Sequence, residues 1–104
     1  MNLQGWGIRM SAYVITDVEI TDAGLYGQFM RQVTPTVESY GGKFVVRGGE
    51  LEVILGDWTP NRLAVLKFDN LEQVQVWLSS PEYTALDDLR TKSSNINMVI
   101  VEGV

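Results

Sequence analysis

The order of strand-like and helix-like stretches is the feature that most limits how this 104-residue chain can fold. Two stretches are amphipathic with a helical period and begin with helix-capping residues, so they predict helices. Between and around them lie four stretches rich in β-branched or alternating apolar residues, which predict strands at residues 12–20, 43–47, 62–68 and 96–103. The order β-α-β-β-α-β predicts an α+β fold on the ferredoxin-like plan. It has one antiparallel four-stranded sheet, with both helices on the same face.

The ends of the predicted helices carry recognisable signals. Side chains suited to capping a helix start are Thr21 or Asp22, Asn70 and Ser80. Gly41 suits the left-handed conformation that commonly ends a helix. Pro35 lies inside the first helical stretch, and because proline lacks a backbone N–H it predicts a kink or a restart there.

Two predicted strands are apolar at consecutive positions rather than at alternate ones. They contain "LAVL" at 63–66 and "MVIV" at 98–101. Such runs favour burial of both faces of a strand, yet two helices can cover only one face of the sheet. A second copy packed sheet against sheet is the economical cover, so we expect a homodimer.

The pair Gly48-Gly49 allows two local structures. A two-residue hairpin turn at the pair would make "ELEVILG" (50–56) a fifth strand. Alternatively, one long strand runs from Lys43 to Gly56 and is bent by a glycine bulge, with the reversal at "DWTPN". We favour the bent strand, because it preserves the four-strand plan.

Cysteine and histidine are both absent, which excludes several chemistries. No disulfide, thiol nucleophile, Ser-His-Asp triad, Cys/His zinc site or histidine haem ligand can form. We therefore expect no cofactor and no metal, since no motif supports a carboxylate-only metal site either. The net charge of −5, without a basic cluster, argues against nucleic-acid binding. No window reaches the roughly 18 apolar residues of a membrane span.

Residues 1–11 differ from the rest and are predicted to be an N-terminal extension, either native or a cloning remnant. They lack the pattern of a signal peptide, and Met10 could itself be a start. Residues 12–104 are predicted to form a single domain, because this length is enough for one compact domain and too short for two. The absence of an export signal makes the cytoplasm the expected location.

Four charged residues are candidates for chemistry. Arg47 and Arg62 could clamp a carboxylate or an enolate, although each could instead serve a structural ion pair or a solvated strand end. Asp17 and Glu52 are the carboxylates best placed on strand faces, and either could act as a general base if buried. For both carboxylates, an exposed or salt-bridged position at the sheet edge is the alternative.

Aromatic residues could line a pocket between helix and sheet. The candidates are Tyr26, Tyr40, Trp58 and Trp77, with Phe29 and Met30 as a floor. Tyr83 could pack where the helix restarts, or its hydroxyl could donate to a ligand. The alternative is a solid core without a pocket, because aromatic residues at helical spacing usually pack inside.

Three segments that follow one another in a fixed order along the chain resemble a known family. They are "YGGKFVVRGG", then "GDW.P.RL.VL.FDN", then "SPEY" with "LR" at 89–90. On these the segment 12–103 resembles the domain-of-unknown-function family numbered thirteen-thirty, in the dimeric α/β-barrel superfamily. The resemblance implies a dimeric barrel, and superfamily relatives include cofactor-independent monooxygenases, muconolactone-type isomerases and haem-degrading enzymes. The last depend on a histidine that is missing here. The family's recurring polar positions map onto Tyr26, Arg47, Arg62, Ser80, Tyr83 and Arg90.

Trp77 stands where the family more often has tyrosine or phenylalanine, which implies a narrower pocket without that hydroxyl. The leading hypothesis is a cofactor-independent enzyme that moves a proton on a small organic acid, lactone or aromatic compound. In it, Arg47 and Arg62 hold an anion while Asp17 or Glu52 acts as base. The alternative is a non-catalytic, small-molecule-binding or stress-associated dimer.

Overall fold

The computed structural model describes residues 10–104, so most of the predicted extension 1–11 lies outside the described residues. Strands and helices follow the predicted order, with the second helical stretch divided into three short helices. The α+β, ferredoxin-like prediction is therefore confirmed. The elements are β1 (Ala12–Ile20), α1 (Ala23–Ser39), β2 (Lys43–Arg47), β3 (Leu63–Phe68), α2 (Leu71–Ser79), α3 (Pro81–Thr84), α4 (Asp87–Ser93) and β4 (Ser94–Glu102).

The four strands form one antiparallel sheet in the order β2-β3-β1-β4. β1 is central: Val14 lies opposite Leu66 of β3 on one side and Ile100 of β4 on the other. Side chains alternate between the two faces along each strand. The even-numbered residues of β1, β3 and β4 therefore share the face that the helices cover, which we call the inner face.

Helix α1 begins at its predicted cap, because the Asp22 side chain accepts a hydrogen bond from the Leu25 N–H at 3.0 Å. The predicted restart at Pro35 is wrong, since the helix continues to Ser39. Val37, beyond the proline, is fully buried in the core, so packing on the sheet favours the continuous helix. The Thr36 hydroxyl donates to the Val33 carbonyl at 2.7 Å within the same turn.

The end of α1 is a paired hydrogen-bond motif built on two glycines. Gly41 has φ 84°, as its predicted role requires, and its N–H donates to the Glu38 carbonyl. The Gly42 N–H donates to the Val37 carbonyl at 2.9 Å. Gly42 also lies close to the end of the Phe68 ring, where an added Cβ would be 2.5 Å from the ring carbon Cζ. The turn therefore fixes both the helix end and the start of β2.

The predicted caps of the second helical stretch are also confirmed. The Asn70 side chain accepts a hydrogen bond from the backbone N–H of Gln73 at 2.9 Å. The side-chain amide of Gln73 donates in turn to the Tyr40 carbonyl at 2.7 Å. The Ser80 hydroxyl accepts from the Tyr83 N–H at 3.2 Å where α3 begins. These bonds aim the aromatic side chains of α2 and α3 at the sheet.

Neither predicted structure for residues 48–56 is correct. β2 ends at Arg47, its bulge lies at Val45 rather than at the glycines, and residues 50–56 pair with no strand of the described chain. A longer β2 would need an equally long antiparallel partner, but β3 begins only at Leu63 and Pro60 lies just before it. Residues 48–61, here called the arm, therefore leave the sheet.

The two faces of the sheet differ in cover. Ala12, Val14 and Phe68 of the inner face are buried under the helices. On the other face, here called the outer face, Val99 and Val101 are 58% and 49% exposed. No helix in residues 10–104 is long and apolar enough to cross a membrane. The outer face thus has the apolar side chains that predicted a second cover.

Candidate functional site

A cleft lies between the inner face of the sheet and the helices. In the helix layer, α2 packs against β1, β3 and β4, α4 contacts β4, and α1 contacts α3 and α4. The cleft lies between this layer and small inward residues of the sheet such as Thr16 and Ala64. Its walls are almost entirely apolar. Besides Thr16 and Ala64, the lining residues are Val18, Tyr26, Phe29, Met30, Val33, Val37, Phe44, Leu66, Trp77, Tyr83, Arg90, Ile96 and Met98.

The cleft is narrow. Its cavity volume is about 40 Å³, and with its open mouth the space between the walls reaches about 420 Å³. A single buried water needs roughly 10–15 Å³ by the first measure, so the interior has room for a few atoms beyond water. Both Met30 and Met98 line it, and methionine side chains reorient easily. A thin or flat group is the shape that fits.

Trp77 and Tyr83 form an aromatic wall of the cleft, and Phe68 packs against Trp77, with the rings tilted relative to one another. The Trp77 ring centroid lies 5.4 Å from that of Phe68 and 4.6 Å from that of Tyr83. The Trp77 Nε1–H donates to the Thr36 hydroxyl at 3.0 Å. Because this bond occupies the only donor of the indole, Trp77 offers a ligand its ring surface alone.

The polar end of the cleft is formed by Tyr83 and Arg90. Burial raises the pKa of Tyr83, while the nearby charge of Arg90 acts in the opposite direction, so the phenol is neutral near pH 7. The Arg90 guanidinium contacts the Asp87 carboxylate at 3.2 Å on its outer side. Its Nε is buried and has no hydrogen-bond partner within residues 10–104. An acceptor placed in the cleft would satisfy that donor.

A second arginine lies beside the same cleft. The Arg62 guanidinium carbon is 5.9 Å from the centre of the Tyr26 ring, and its Nε is likewise buried without a partner in the described chain. The guanidinium occupies the space beside Gly48, where an added Cβ would overlap it. Gly48 has φ 65° and directs the arm away from the sheet. The glycine therefore makes room for the arginine.

Arg47 lies on the inner face at the edge of the sheet, since it pairs with Ala64 across the ladder. Its guanidinium carbon stacks 4.1 Å from the centre of the Phe44 ring, which lines the cleft. The Arg47 carbonyl is 3.5 Å from an Arg62 nitrogen. The structure thus brings the two predicted anion-binding arginines together at the base of the arm, with Arg47 the more exposed.

The two predicted catalytic carboxylates lie elsewhere. Asp17 is on the outer face, where it accepts from the Asn61 N–H at 2.9 Å and from the Trp58 Nε1–H at 3.1 Å. These two hydrogen bonds lower the pKa of Asp17. Glu52 is exposed on the arm, and neither carboxylate lines the cleft. Their roles as bases stay predictions.

The cleft therefore brings together Tyr26, Trp77 and Tyr83, with Arg62 and Arg47 beside it. Trp58 joins Asp17 on the outer face, and the Tyr40 hydroxyl donates to the Glu82 carboxylate outside the cleft. The ligand-binding roles of these residues stay predictions. Sequence reasoning missed the lining residues Phe44, Ile96 and Met98. Their positions on the inner face of edge strands were the available signal. Within residues 10–104, no group of acidic side chains is arranged to hold a metal ion.

Comparisons with solved structures agree on the fold. The RPA0582 protein of unknown function from Rhodopseudomonas palustris is 15% identical with a TM-score of 0.75, over 100% of this chain and 95% of that one. SnoaB, a cofactor-independent oxygenase from Streptomyces nogalater, is 9% identical with a TM-score of 0.63, over 91% and 94%. A dimeric, ferredoxin-like protein of unknown function from Bacteroides fragilis is 14% identical with a TM-score of 0.54, over 89% and 96%.

Sequence comparison gives a family and no activity. No curated protein sequence matches this chain significantly. The family DUF1330, a domain of unknown function, matches residues 11–104. Because that match spans nearly the whole sequence, the chain belongs to the DUF1330 family.

Proposed function

We propose that this protein binds a small, flat or narrow molecule with one anionic group in the cleft between the sheet and the helices. The observation that carries the proposal is the buried Nε of Arg90, which lines the cleft and has no hydrogen-bond partner within residues 10–104; a second such Nε, that of Arg62, belongs to the side chain beside the lining residue Tyr26. A buried donor without a partner costs about 1–3 kcal/mol, which a ligand oxygen would recover. The apolar part of the molecule would lie against Trp77 and Tyr83.

Binding is favoured over catalysis by the composition of the cleft. Its lining contains no carboxylate, and the guanidinium of Arg90 is already protonated, so no lining side chain is suited to accept a proton near pH 7. Tyr83, being neutral, can donate a hydrogen bond to an anion but cannot readily accept a proton. A non-catalytic binding protein therefore accounts for the geometry without a general base, which an enzyme would have to bring in from outside the cleft.

Cofactor-independent turnover is the second candidate. The likeness of the fold to SnoaB supports it, since that protein is described as a cofactor-independent oxygenase. The base would be Asp17 or Glu52, as the sequence predicts, and a general base contributes typically 10²–10⁴ in rate. Asp17→Asn or Glu52→Gln should then reduce turnover by about that factor, and a loss below about threefold in both would remove this candidate.

We further propose that the protein is a homodimer joined through the outer face. The exposed Val99 and Val101 support this, and the similar Bacteroides fragilis protein is described as dimeric. Joining two outer faces would bury side chains that a single chain leaves in water. The cytoplasmic location stays a prediction.

A thermal-shift screen with small carboxylates, lactones and phenols tests the binding proposal. A ligand at 100 times its dissociation constant stabilises by about 2.7 kcal/mol, which raises the melting temperature of a domain this size by roughly 10–20 °C. The shift should disappear in Arg90→Gln and persist in Arg31→Gln, a matched change at an exposed position on α1. Equal shifts in both variants, or none in the wild-type protein, would contradict the proposed site.

A further inference from the structure

The arm combines a strand-forming sequence with almost complete exposure. Residues 50–55 read "ELEVIL", yet Ile54 and Leu55 are 81% and 91% exposed, and Val53 is also exposed. Consecutive apolar side chains in water are unfavourable unless another surface covers them. The described part of this chain supplies no such surface, since these side chains remain exposed in residues 10–104.

The base of the arm is fixed at one end of the outer face. Asp17 of β1 holds both the Asn61 N–H and the Trp58 indole there. The arm is therefore anchored to the outer face through Trp58 and Asn61 rather than loosely attached. At the other end of that face, about 13 Å away along β1 at 3.3 Å per residue, lies Tyr13.

The row of the outer face at the Tyr13 end is basic. Lys43, Lys67, Tyr13 and Val101 lie side by side across the sheet. Lys43 and Lys67 are directly opposite each other, an arrangement that is unfavourable for two like charges. Neither lysine forms an ion pair with any residue from 10 to 104, because the ion pairs there both lie in α4.

The arm carries the complementary charge. Glu50 and Glu52 alternate with its apolar residues, and neither forms an ion pair within the described chain. A two-fold axis that crosses the strands turns the Asp17 end of one outer face over the Tyr13 end of the other. That operation brings the acidic, apolar arm of each chain to the basic, apolar row of its partner.

From this arrangement we infer that the arm is exchanged in the homodimer: residues 50–56 of each chain pack on the outer face of a second copy. In this arrangement Ile54 and Leu55 cover the partner's Val101, and the arm carboxylates approach the two lysines. The inference rests on the proposed homodimer but adds to it, because two sheets could pack face to face without either arm. It is independent of what the cleft binds.

Sedimentation of wild-type protein and two variants tests the exchange. Ile54→Asp/Leu55→Asp places charges where side chains contact little in their own chain, so the fold of each chain should be unchanged. Its self-association should weaken by about 100-fold or more, because two carboxylates would have to be buried at the interface. The control is Val76→Asp, an exposed position on α2, which should dimerise like the wild-type protein.

The outcomes are distinguishable. If the wild-type protein and the arm variant dimerise equally, arm exchange is wrong while the homodimer stands. If the wild-type protein is a monomer, both are wrong. A charge reversal then tests the row that receives the arm: Lys67→Glu should weaken association, and adding Glu52→Lys should restore it. Absence of restoration would contradict the assignment of this row.

Discussion

The inner and outer faces of the same sheet show two ways of burying apolar side chains. On the inner face, Val14 and Phe68 are covered by helices that the chain itself supplies. On the outer face, Val99 and Val101 alternate with inner-face residues of the same strand yet remain exposed. The difference shows that a strand's apolar pattern specifies how much must be buried, whereas the cover can come from another molecule.

The cleft and the arm extend this contrast. The cleft lies on the covered side and is closed by aromatic rings and flanked by two arginines, all from one chain. The arm rises from the uncovered side, and its apolar residues have no cover within the described part of the chain. The loss of unfolding free energy caused by a truncation on the inner face should therefore be independent of protein concentration. The loss caused by a truncation on the outer face or the arm should depend on concentration, because their cover comes from a second copy.

The largest expected effect comes from truncating the inner face. Phe68→Ala should lower the free energy of unfolding by about 3–5 kcal/mol, because it leaves a cavity against Trp77 and Gly42. In dilute protein, the matched outer-face change Val101→Ala should cost far less. Denaturant unfolding at several concentrations measures both, and equal costs in dilute protein would contradict the distinction between the faces.

The next effect lies where the arm leaves the sheet. Gly48→Ala forces an alanine into a left-handed conformation and into the Arg62 guanidinium, so unfolding free energy should fall by about 1–3 kcal/mol. Gly49→Ala is the matched control, because an added Cβ there meets no atom within 4 Å. Thermal unfolding compares the two variants. A similar loss in both would show that Arg62 does not require Gly48.

A smaller effect is expected at the aromatic wall. Thr36→Val keeps the shape of the side chain but removes the acceptor of the Trp77 indole bond, so about 1 kcal/mol of stability should be lost. Thr36→Ser retains a hydroxyl and should lose less. Denaturant unfolding of both variants checks this. An unchanged free energy of unfolding in Thr36→Val would mean that the Trp77 indole bond to Thr36 does not contribute to stability.

The smallest effect concerns pH and the base of the arm. Hydrogen bonds from Asn61 and Trp58 lower the pKa of Asp17 from its ordinary value of 3.8. The folded state therefore binds the proton less readily than the unfolded state. The resulting stability is fully present above the ordinary value and is lost as pH falls through the lowered one. Unfolding measured across acidic pH should show this loss in the wild-type protein and not in Asp17→Asn. The same acid dependence in both proteins would exclude Asp17 as its source.

Sequence patterns predicted the elements well where local chemistry decides them. The caps at Asp22, Asn70 and Ser80 and the helix end at Gly41 are all as predicted. The continuation of α1 through Pro35 could not be predicted in the same way, because it depends on tertiary packing of the following turn. Local signals therefore fix where elements begin more reliably than whether they are interrupted.

The arm shows a different limit of sequence reasoning. The alternating and apolar residues of "ELEVIL" are typical of a strand, but the pattern does not say which chain supplies the neighbouring strand or surface. The site shares this limit. Tyr26 and Tyr83 line the cleft, whereas Asp17 lies on the face away from it, because the alternation of side chains along β1 does not say which face the helices cover.

The central claim is that a second copy completes the outer face, and the mass of the wild-type protein in solution tests it most directly. Sedimentation equilibrium across the micromolar range should give twice the chain mass of 11.6 kDa. A mass of 11.6 kDa at every concentration would contradict the account, since the exposed valines and the arm would then have no partner of their own kind.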